Sequence, residues 1–393
     1  MEVTAHEACA ICHAPTALAL DCGLLPLANG YAEPDRREPL TVRYCGACGL
    51  YQLGYLVPPD ALFGDYTYRT GATRQSRVWQ HLAGDVWRTF GATTPAHALV
   101  VDVGGNDGSA LAAFAHSSTR CVNIDPYAPE QVGAFVQLVR EPWTPATARA
   151  VVERHGHADI LLASNVWAHM SDLHASATAA ATLLSVDGWL VVQAPWARDL
   201  FRYSAYDTLY HEHVYYLGVR AMRALFQRHG MDVHKVDYLP DVHGGSLRYW
   251  IRHGNDGITD SVQRFADIEA DAAEPGGYSF QHAYEAWQIE QQMLWQRVPR
   301  PLCAVTAPAK ATMFFAMTDT AQFVDRLFDD TTAKQGKRLP GTSLVVEPLT
   351  ELPRDANAVL MAWNHAAALR ARLRALRHEG RVLTPQSMWG DCA

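Results

Sequence analysis

Four cysteines near the start of the chain, Cys9, Cys12, Cys45 and Cys48, form two C-x2-C pairs separated by 32 residues. Each pair sets two thiolates on one tight turn, and two such turns face to face supply the four sulfurs of a tetrahedral zinc ion. A closed four-sulfur shell leaves no position for water or substrate, so the spacing predicts a structural staple and not a catalytic metal. Two disulfides could use the same residues, but thiols in a reducing compartment stay available to zinc. Cys22, Cys121, Cys303 and Cys392 are scattered and read as small buried hydrophobes or, for Cys392, a tail residue.

A chain of 393 residues exceeds one ordinary core, and at about 150 residues per domain it predicts two or three. An apolar fraction of 49% with 19% charged residues is that of a packed globular protein. The formal charge of -8, with no basic stripe, argues against a nucleic-acid surface. A small-molecule substrate fits better, with the chain acting as a monomer or weak dimer. The start MEVTAHEACA has no basic residues leading into an apolar run, and no stretch approaches the roughly 18 apolar residues of a membrane span. A cytoplasmic, membrane-free protein is expected.

Three regions follow from the pattern. Residues 1–72 are rich in Cys, Gly and Pro, as in a small domain held by metal. Residues 73–240 begin with a helix-like stretch near 74–91 and then alternate strand and helix through ALVVDVGGNDG, RCVNIDP, DILLASNVW and GWLVVQAPW, the rhythm of a doubly wound parallel sheet. Residues 241–393 carry a weaker α/β pattern, with LCAVTAP, TSLVVEP and NAVLMAWN as strands and a helical segment over 257–297. The fold class is α/β: a four-cysteine zinc domain, a Rossmann-like central domain and a second Rossmann-like C-terminal domain.

In VVDVGGNDGSALAAF, Asp102 and the glycines Gly104, Gly105 and Gly108 follow an apolar strand and precede a helix, where a backbone without Cβ can approach a ligand. Glycine loops serve both dinucleotides and S-adenosylmethionine. This one lacks the full G-x-G-x-x-G fingerprint. The next strand ends in Asp125, which can accept hydrogen bonds from ribose hydroxyls. Asp107, inside the loop, suits an amino group and a sulfonium better than a pyrophosphate. The loop therefore favours S-adenosylmethionine.

Two clusters could carry chemistry. SNVWAHMSD ends a strand, so Asn165 and His169 belong at the carboxyl edge of the sheet, where open α/β sheets bind ligands. YDTLYHEHVYYLG sets Tyr210, His211, Glu212 and His213 in a row. Packing gives no reason for that, whereas an imidazole can move a proton, a carboxylate can orient it and a phenol can stabilise an enolate. FGDYTYRTGAT adds Tyr66 and Tyr68, which line either the core or the site.

With these pieces in order, the chain resembles the S-adenosylmethionine-dependent nucleotide-sugar C-methyltransferases, which add a methyl branch at C3 of 4-keto deoxysugars in antibiotic pathways. The resemblance runs nearly end to end: the paired knuckles, LPLAN at 25–29, the Tyr-rich segment, VDVGGNDG, NVWAH, YHEH, HGGSLR at 243–248 and DDTTAKQGKRLPGT at 329–342. It implies structural zinc in the first domain, S-adenosylmethionine in the second and a nucleotide sugar, TDP-linked as in the family, held in part by the third. It further implies His213 as general base, with Tyr210, Glu212 and His169 lining the site, one of Tyr66 or Tyr68 facing the sugar, and His243 on the substrate.

One stretch departs from the family pattern. Where members have a glycine-rich YGAPAKG turn, this chain reads VTAPAKATMFF: Ala307, Pro308, Ala309 and Lys310 are retained and both flanking glycines are absent. Close approach of a phosphate backbone is then harder. Lys310 and Lys334 can still meet a phosphate as point charges, as can Lys337. Two other readings remain open: a methyltransferase of an oxygen, nitrogen or non-nucleotide carbonyl acceptor, and a non-catalytic binding protein, for which the YHEH cluster would have no use.

Overall fold

The computed structural model describes residues 3–63, 76–90, 97–114, 119–130, 132–133, 135–254, 257–272 and 278–385. Tyr66, Tyr68 and the C-terminal eight residues, which include Cys392, lie outside them.

The N-terminal region builds a small antiparallel sheet from β1 (Ala17–Pro26), β2 (Arg37–Tyr44) and β3 (Tyr51–Leu53). A fourth strand comes from far downstream: Tyr215–Tyr216 pairs antiparallel with β3 through Tyr215 opposite Gln52 and Tyr216 opposite Tyr51. The two cysteine turns are closed by local hydrogen bonds. His13 N–H donates to the Cys9 carbonyl at 3.0 Å and Gly49 N–H to the Cys45 carbonyl at 2.8 Å. Both turns need a positive φ just after the second cysteine, which Gly49 supplies at no steric cost and His13 adopts at φ 60.

The central sheet has seven strands: β4 (Leu99–Val103), β5 (Arg120–Ile124), β6 (Val136–Val139), β7 (Ala158–Ser164), β8 (Leu184–Pro195), β9 (Met231–Leu239) and β10 (Ser246–His253). Their order is β9-β10-β8-β7-β4-β5-β6. β4 through β8 pair in parallel, and β10 runs antiparallel between β8 and β9. β4 is buried at all five positions, as expected of a strand covered on both faces. The four strands expected from the apolar runs are β4, β5, β7 and β8. The weakly apolar VQLV of β6 and the β9–β10 hairpin were not legible as strands, because neither shows a long apolar run between turn signals. β10 lies beyond residue 241, so the sheet reaches across the boundary expected there.

A second, all-parallel sheet follows: β11 (Leu302–Val305), β12 (Arg326–Asp329), β13 (Val346–Pro348), β14 (Asn357–Leu360) and β15 (Val382–Leu383), in the order β13-β12-β11-β14-β15. The helical stretch expected at 257–297 is two helices, Asp260–Ala272 and Tyr278–Trp295.

Two hydrophobic cores fasten the N-terminal region to both sheets. Cys9, Ile11, Cys45, Cys48 and Leu50 pack in one core with Trp167, Val192, Tyr215 and Phe226. Leu20, Leu40 and Val42 pack in another with Leu209, Phe314, Phe315 and Leu344. The segment carrying the YHEH cluster therefore lies where all three regions meet. Among the described residues, no helix is long and apolar enough to cross a membrane.

Candidate active site

Strand order sets the site. The chain leaves β4 towards β5 and β6 on one side and returns through β7 and β8 on the other, which makes a switch point at the carboxyl ends of β4 and β7. The loop after β4 carries Gly104 at φ 66, Asn106 at φ 50 and Gly108 at φ 75. The demand for glycine here comes from the protein itself. A Cβ on Gly105 would lie 2.5 Å from Asn123 Oδ1 and 2.7 Å from Asp102 Oδ2, and one on Gly104 would strike Val166. Asp125 ties the loop down: its Oδ2 accepts from Asn106 N–H at 2.8 Å and its Oδ1 from Tyr127 N–H at 2.7 Å. Each oxygen keeps a second lone pair for a hydroxyl donor. Asp107 Oδ1 accepts from Ser109 N–H at 3.1 Å, just ahead of the short helix Ser109–Ala112. Asp102 is buried, and desolvation together with the charge of Asp125 holds its carboxyl well above the usual range.

At the end of β7, Asn165 takes φ 54 and its Nδ2 lies 3.4 Å from His243 Nε2. Asn165 Oδ1 is buried with no hydrogen-bond partner among the described residues. His169 follows in a single turn and donates from Nδ1 to the Glu212 carbonyl at 2.6 Å. The His169 and His213 rings are 4.8 Å apart, and Tyr210 lies against His213 at 3.9 Å. His213 donates from Nδ1 to the Thr208 carbonyl at 2.9 Å. A carbonyl only accepts, so the neutral ring carries its proton on Nδ1 and leaves Nε2 as the basic nitrogen. Burial, then the charge of His169, holds the His213 pKa well below 6.5. Burial lowers His243 to about 3, with Lys310 and His365 adding repulsion.

The YHEH residues do not share one direction. His211 is buried against the N-terminal sheet, its Nε2 donating to the Glu38 carbonyl at 3.3 Å, and burial lowers it to about 4. Glu212 is buried, and Asn29 Nδ2 donates to its Oε1 at 3.0 Å. Burial raises Glu212 to about 7, with Asn29 partly opposing the rise.

The C-terminal sheet has its own switch point between β11 and β14, and its loops face the same cluster. Lys310 Nζ lies 4.1 Å from the centre of the Trp363 ring, and Trp363 Nε1 donates to Asp207 Oδ2 at 2.7 Å. Gly244, next to His243, leaves room for the Trp363 ring, which a Cβ would meet at 3.0 Å. Lys334 is placed differently. Its Nζ donates to the Ala307 carbonyl at 2.8 Å, and Tyr31 OH donates to the same oxygen at 3.1 Å. Asn165, His169, Tyr210, His213, His243 and Lys310 thus converge, while Lys334 braces the β11 loop. Asp207, Trp363 and His365 were missed. Applying the carboxyl-edge rule to the NAVLMAWN strand would have found Trp363 and His365; nothing in the sequence singled out Asp207.

The four cysteine sulfurs lie within 4.8 Å of one another. Four thiolates on two turns are the donor set of structural zinc, and the group fits that ion. The loop at the switch point likewise fits an adenosyl cofactor, since Asp125 retains accepting capacity beside the buried Asp102.

Known proteins resemble this chain region by region. Family models match as a methyltransferase domain over residues 75–236, a C-methyltransferase C-terminal domain over 241–385 and a "Putative zinc binding domain" over 9–63. The chain is 29% identical over 352 residues to the C-methyltransferase NovU of Streptomyces niveus, covering 84% of this chain and 81% of that protein. A methyltransferase of Mycobacterium sp. (strain KMS) is 30% identical over 91 residues, 23% of this chain and 36% of its own. Among solved structures, a SAM-dependent methyltransferase from Anabaena variabilis ATCC 29413 aligns with 45% of this chain and 85% of its own, at 14% identity and a TM-score of 0.36. With zinc-binding, methyltransferase and C-methyltransferase C-terminal domains matched in order along one chain, this protein is an S-adenosylmethionine-dependent methyltransferase, similar over most of its length to a C-methyltransferase.

Proposed function

We propose that the enzyme methylates C3 of a 4-keto deoxysugar nucleotide, a TDP sugar by family resemblance, in the making of a branched sugar for a natural product. The observation that carries this reading is the tautomer of His213: the Thr208 carbonyl holds Nδ1–H and leaves Nε2 basic, in a ring packed against His169 and Tyr210. A carbonyl at C4 acidifies the proton on C3. Nε2 of His213 takes that proton, and donors around it hold the enolate. Asp102, Gly104, Gly105, Asp107, Asp125 and Asn165 would hold S-adenosylmethionine, which supplies an electrophilic methyl group. Tyr210, Glu212 and His169 line the site. By the family resemblance one of Tyr66 or Tyr68 faces the sugar. His243, Lys310 and Lys334 serve the substrate side. We divide the chain into the zinc domain, 1–72, the methyltransferase domain and the C-terminal domain, with the central sheet running on through β10.

A second reading, methylation of another small-molecule acceptor, is favoured by the β11 loop. Thr306 replaces the first family glycine and holds φ 73, its Oγ1 accepting from Ala362 N–H at 3.0 Å. Ala311 replaces the second and is fully buried. A backbone that would meet a phosphate is thus partly occupied by the protein's own atoms.

Incubation with 4-keto sugar nucleotides in deuterated water tests the first reading. Deuterium should enter at C3 and, with S-adenosylmethionine present, a methyl group should appear there. Methylation of a hydroxyl or amine, with no exchange at carbon, overturns it in favour of the second.

A further inference from the structure

Lys310 is a strange residue to find in this position. Its Nζ is buried and makes no hydrogen bond among the described residues. A buried ammonium with no acceptor is costly unless something else uses it. The side chain is held by the face of Trp363, 4.1 Å from Nζ to the ring centre. Trp363 is itself fixed by its bond to Asp207, and Asp207 immediately precedes Thr208, whose carbonyl fixes His213. The edge of the Trp363 ring also lies close to Gly244, beside the His243 that approaches Asn165. The ammonium is therefore built into the reacting cluster and belongs to the same contacts that orient the base.

A phosphate is a poor match for that setting. A diphosphate carries more than one negative charge and would sit beside the Asp207 carboxylate, while the next lysine, Lys334, is occupied by the Ala307 carbonyl. A neutral carbonyl oxygen is a better match, because it meets no repulsion from Asp207 until charge develops on it. Burial keeps His213, His243 and His365 in their neutral forms, and Lys310 is close enough for its charge to add to that in all three.

We propose that Lys310 is a catalytic residue that donates a hydrogen bond to the carbonyl oxygen next to the methylated carbon and holds the negative charge of the enolate. This rests on the reading of the enzyme as one that methylates carbon beside a carbonyl. As His213 Nε2 takes the proton, the C–H pair becomes the new carbon–carbon π bond and the carbonyl π pair moves to oxygen, where the ammonium meets it. When the carbon bonds to the donated methyl, the oxygen pair returns to re-form the carbonyl and the donor's carbon–sulfur pair stays on sulfur.

The test compares the full-length enzyme with Lys310→Met and Lys310→Arg, using solvent deuterium exchange at saturating 4-keto sugar nucleotide and calorimetry with the free nucleoside diphosphate. Lys310→Met should slow exchange by about 10²–10³-fold, the usual effect of removing one oxyanion donor, and Lys310→Arg should recover part of it. Affinity for the nucleoside diphosphate should be unchanged in both. Weakened nucleotide binding with a wild-type exchange rate at saturation makes Lys310 a phosphate ligand and overturns the proposal, as does no change in either. Failure of the wild-type enzyme to exchange any such sugar overturns the functional reading itself, and this inference with it. Circular dichroism and S-adenosylmethionine affinity unchanged from wild type show that a variant is folded; where Lys310→Met fails that check, the folded Lys310→Arg enzyme decides, and wild-type exchange in it with weakened nucleotide binding counts against the proposal.

Discussion

His213 and Thr208 are joined by a 2.9 Å hydrogen bond from the imidazole Nδ1 to the backbone carbonyl five residues earlier. That one contact selects the tautomer and leaves Nε2 as the base. Because the ring is buried beside His169, its pKa lies well below 6.5.

Activity should therefore fall on the acid side only at a pH below 6.5. A lowered folded pKa keeps the base neutral as pH drops, until pH passes through that lowered value. The pH profile of solvent exchange in the folded enzyme is the measurement; a limb at or above 6.5, or none at all, sinks the assignment. His213→Gln should slow exchange by about 10²–10⁴-fold while calorimetry finds S-adenosylmethionine binding unchanged.

Glu212 makes the opposite prediction about stability. Burial raises it from 4.5 to about 7. Below 4.5 both folded and unfolded chains are protonated and its contribution is fully present; as pH rises through about 7 that contribution is lost, because the unfolded chain ionises first. Glu212→Gln keeps an acceptor for Asn29, so it should melt higher than wild type at pH 8 and show a flatter melting profile between 4.5 and 7. Equal slopes for the two proteins would show that the carboxyl is not held neutral.

Thr306 is β-branched and sits at φ 73, a region that costs such a residue about 1–2 kcal/mol. Its Oγ1 recovers about 1 kcal/mol by accepting from Ala362 N–H. Thr306→Gly should therefore change stability by less than about 1 kcal/mol, since relief of strain offsets the lost bond and the added chain entropy. Thr306→Val keeps the strain and removes the acceptor, and should cost about 1–3 kcal/mol. Denaturant unfolding of both variants checks the order; a larger loss for glycine would refute it.

Gly105→Ala should abolish S-adenosylmethionine binding and destabilise the fold, because its Cβ would press on Asn123 and Asp102 inside the loop. Gly104→Val should do the same through Val166. Calorimetry reads the first effect and thermal melting the second. A stable Gly105→Ala protein that binds cofactor normally would mean the loop has slack that this packing does not show.

Removal of zinc should lower the melting temperature and the activity together. The Cys45–Cys48 turn leads directly into β3, Leu53 N–H donates to the Val214 carbonyl at 2.8 Å, and His213 is the residue before Val214. Cobalt substituted at the four cysteines should restore activity, and its thiolate absorption bands should not move when substrate is added. A shift on substrate binding would mean that the metal touches the reaction.

The sequence by itself determined the zinc shell, the order of domains, the central parallel strands and the glycine loop. Those features are local: thiolate spacing, apolar runs and turn residues lie within a few positions of one another, so the chain announces them before it folds. It also marked NVWAH and YHEH as candidates, because ionisable residues were grouped where packing had no use for them. Only the tertiary structure decided which way each one faces. His211 and Glu212 directly precede His213 in the chain, yet one is buried against the N-terminal sheet and the other is bonded to Asn29. The fold ties the zinc shell to His213 through a strand pairing between residues 51–52 and 215–216. Lys310, Trp363 and Asp207 come from two domains and meet only because the two switch points face each other. Such long-range contacts depend on the packing of whole sheets, and no short stretch of sequence encodes them.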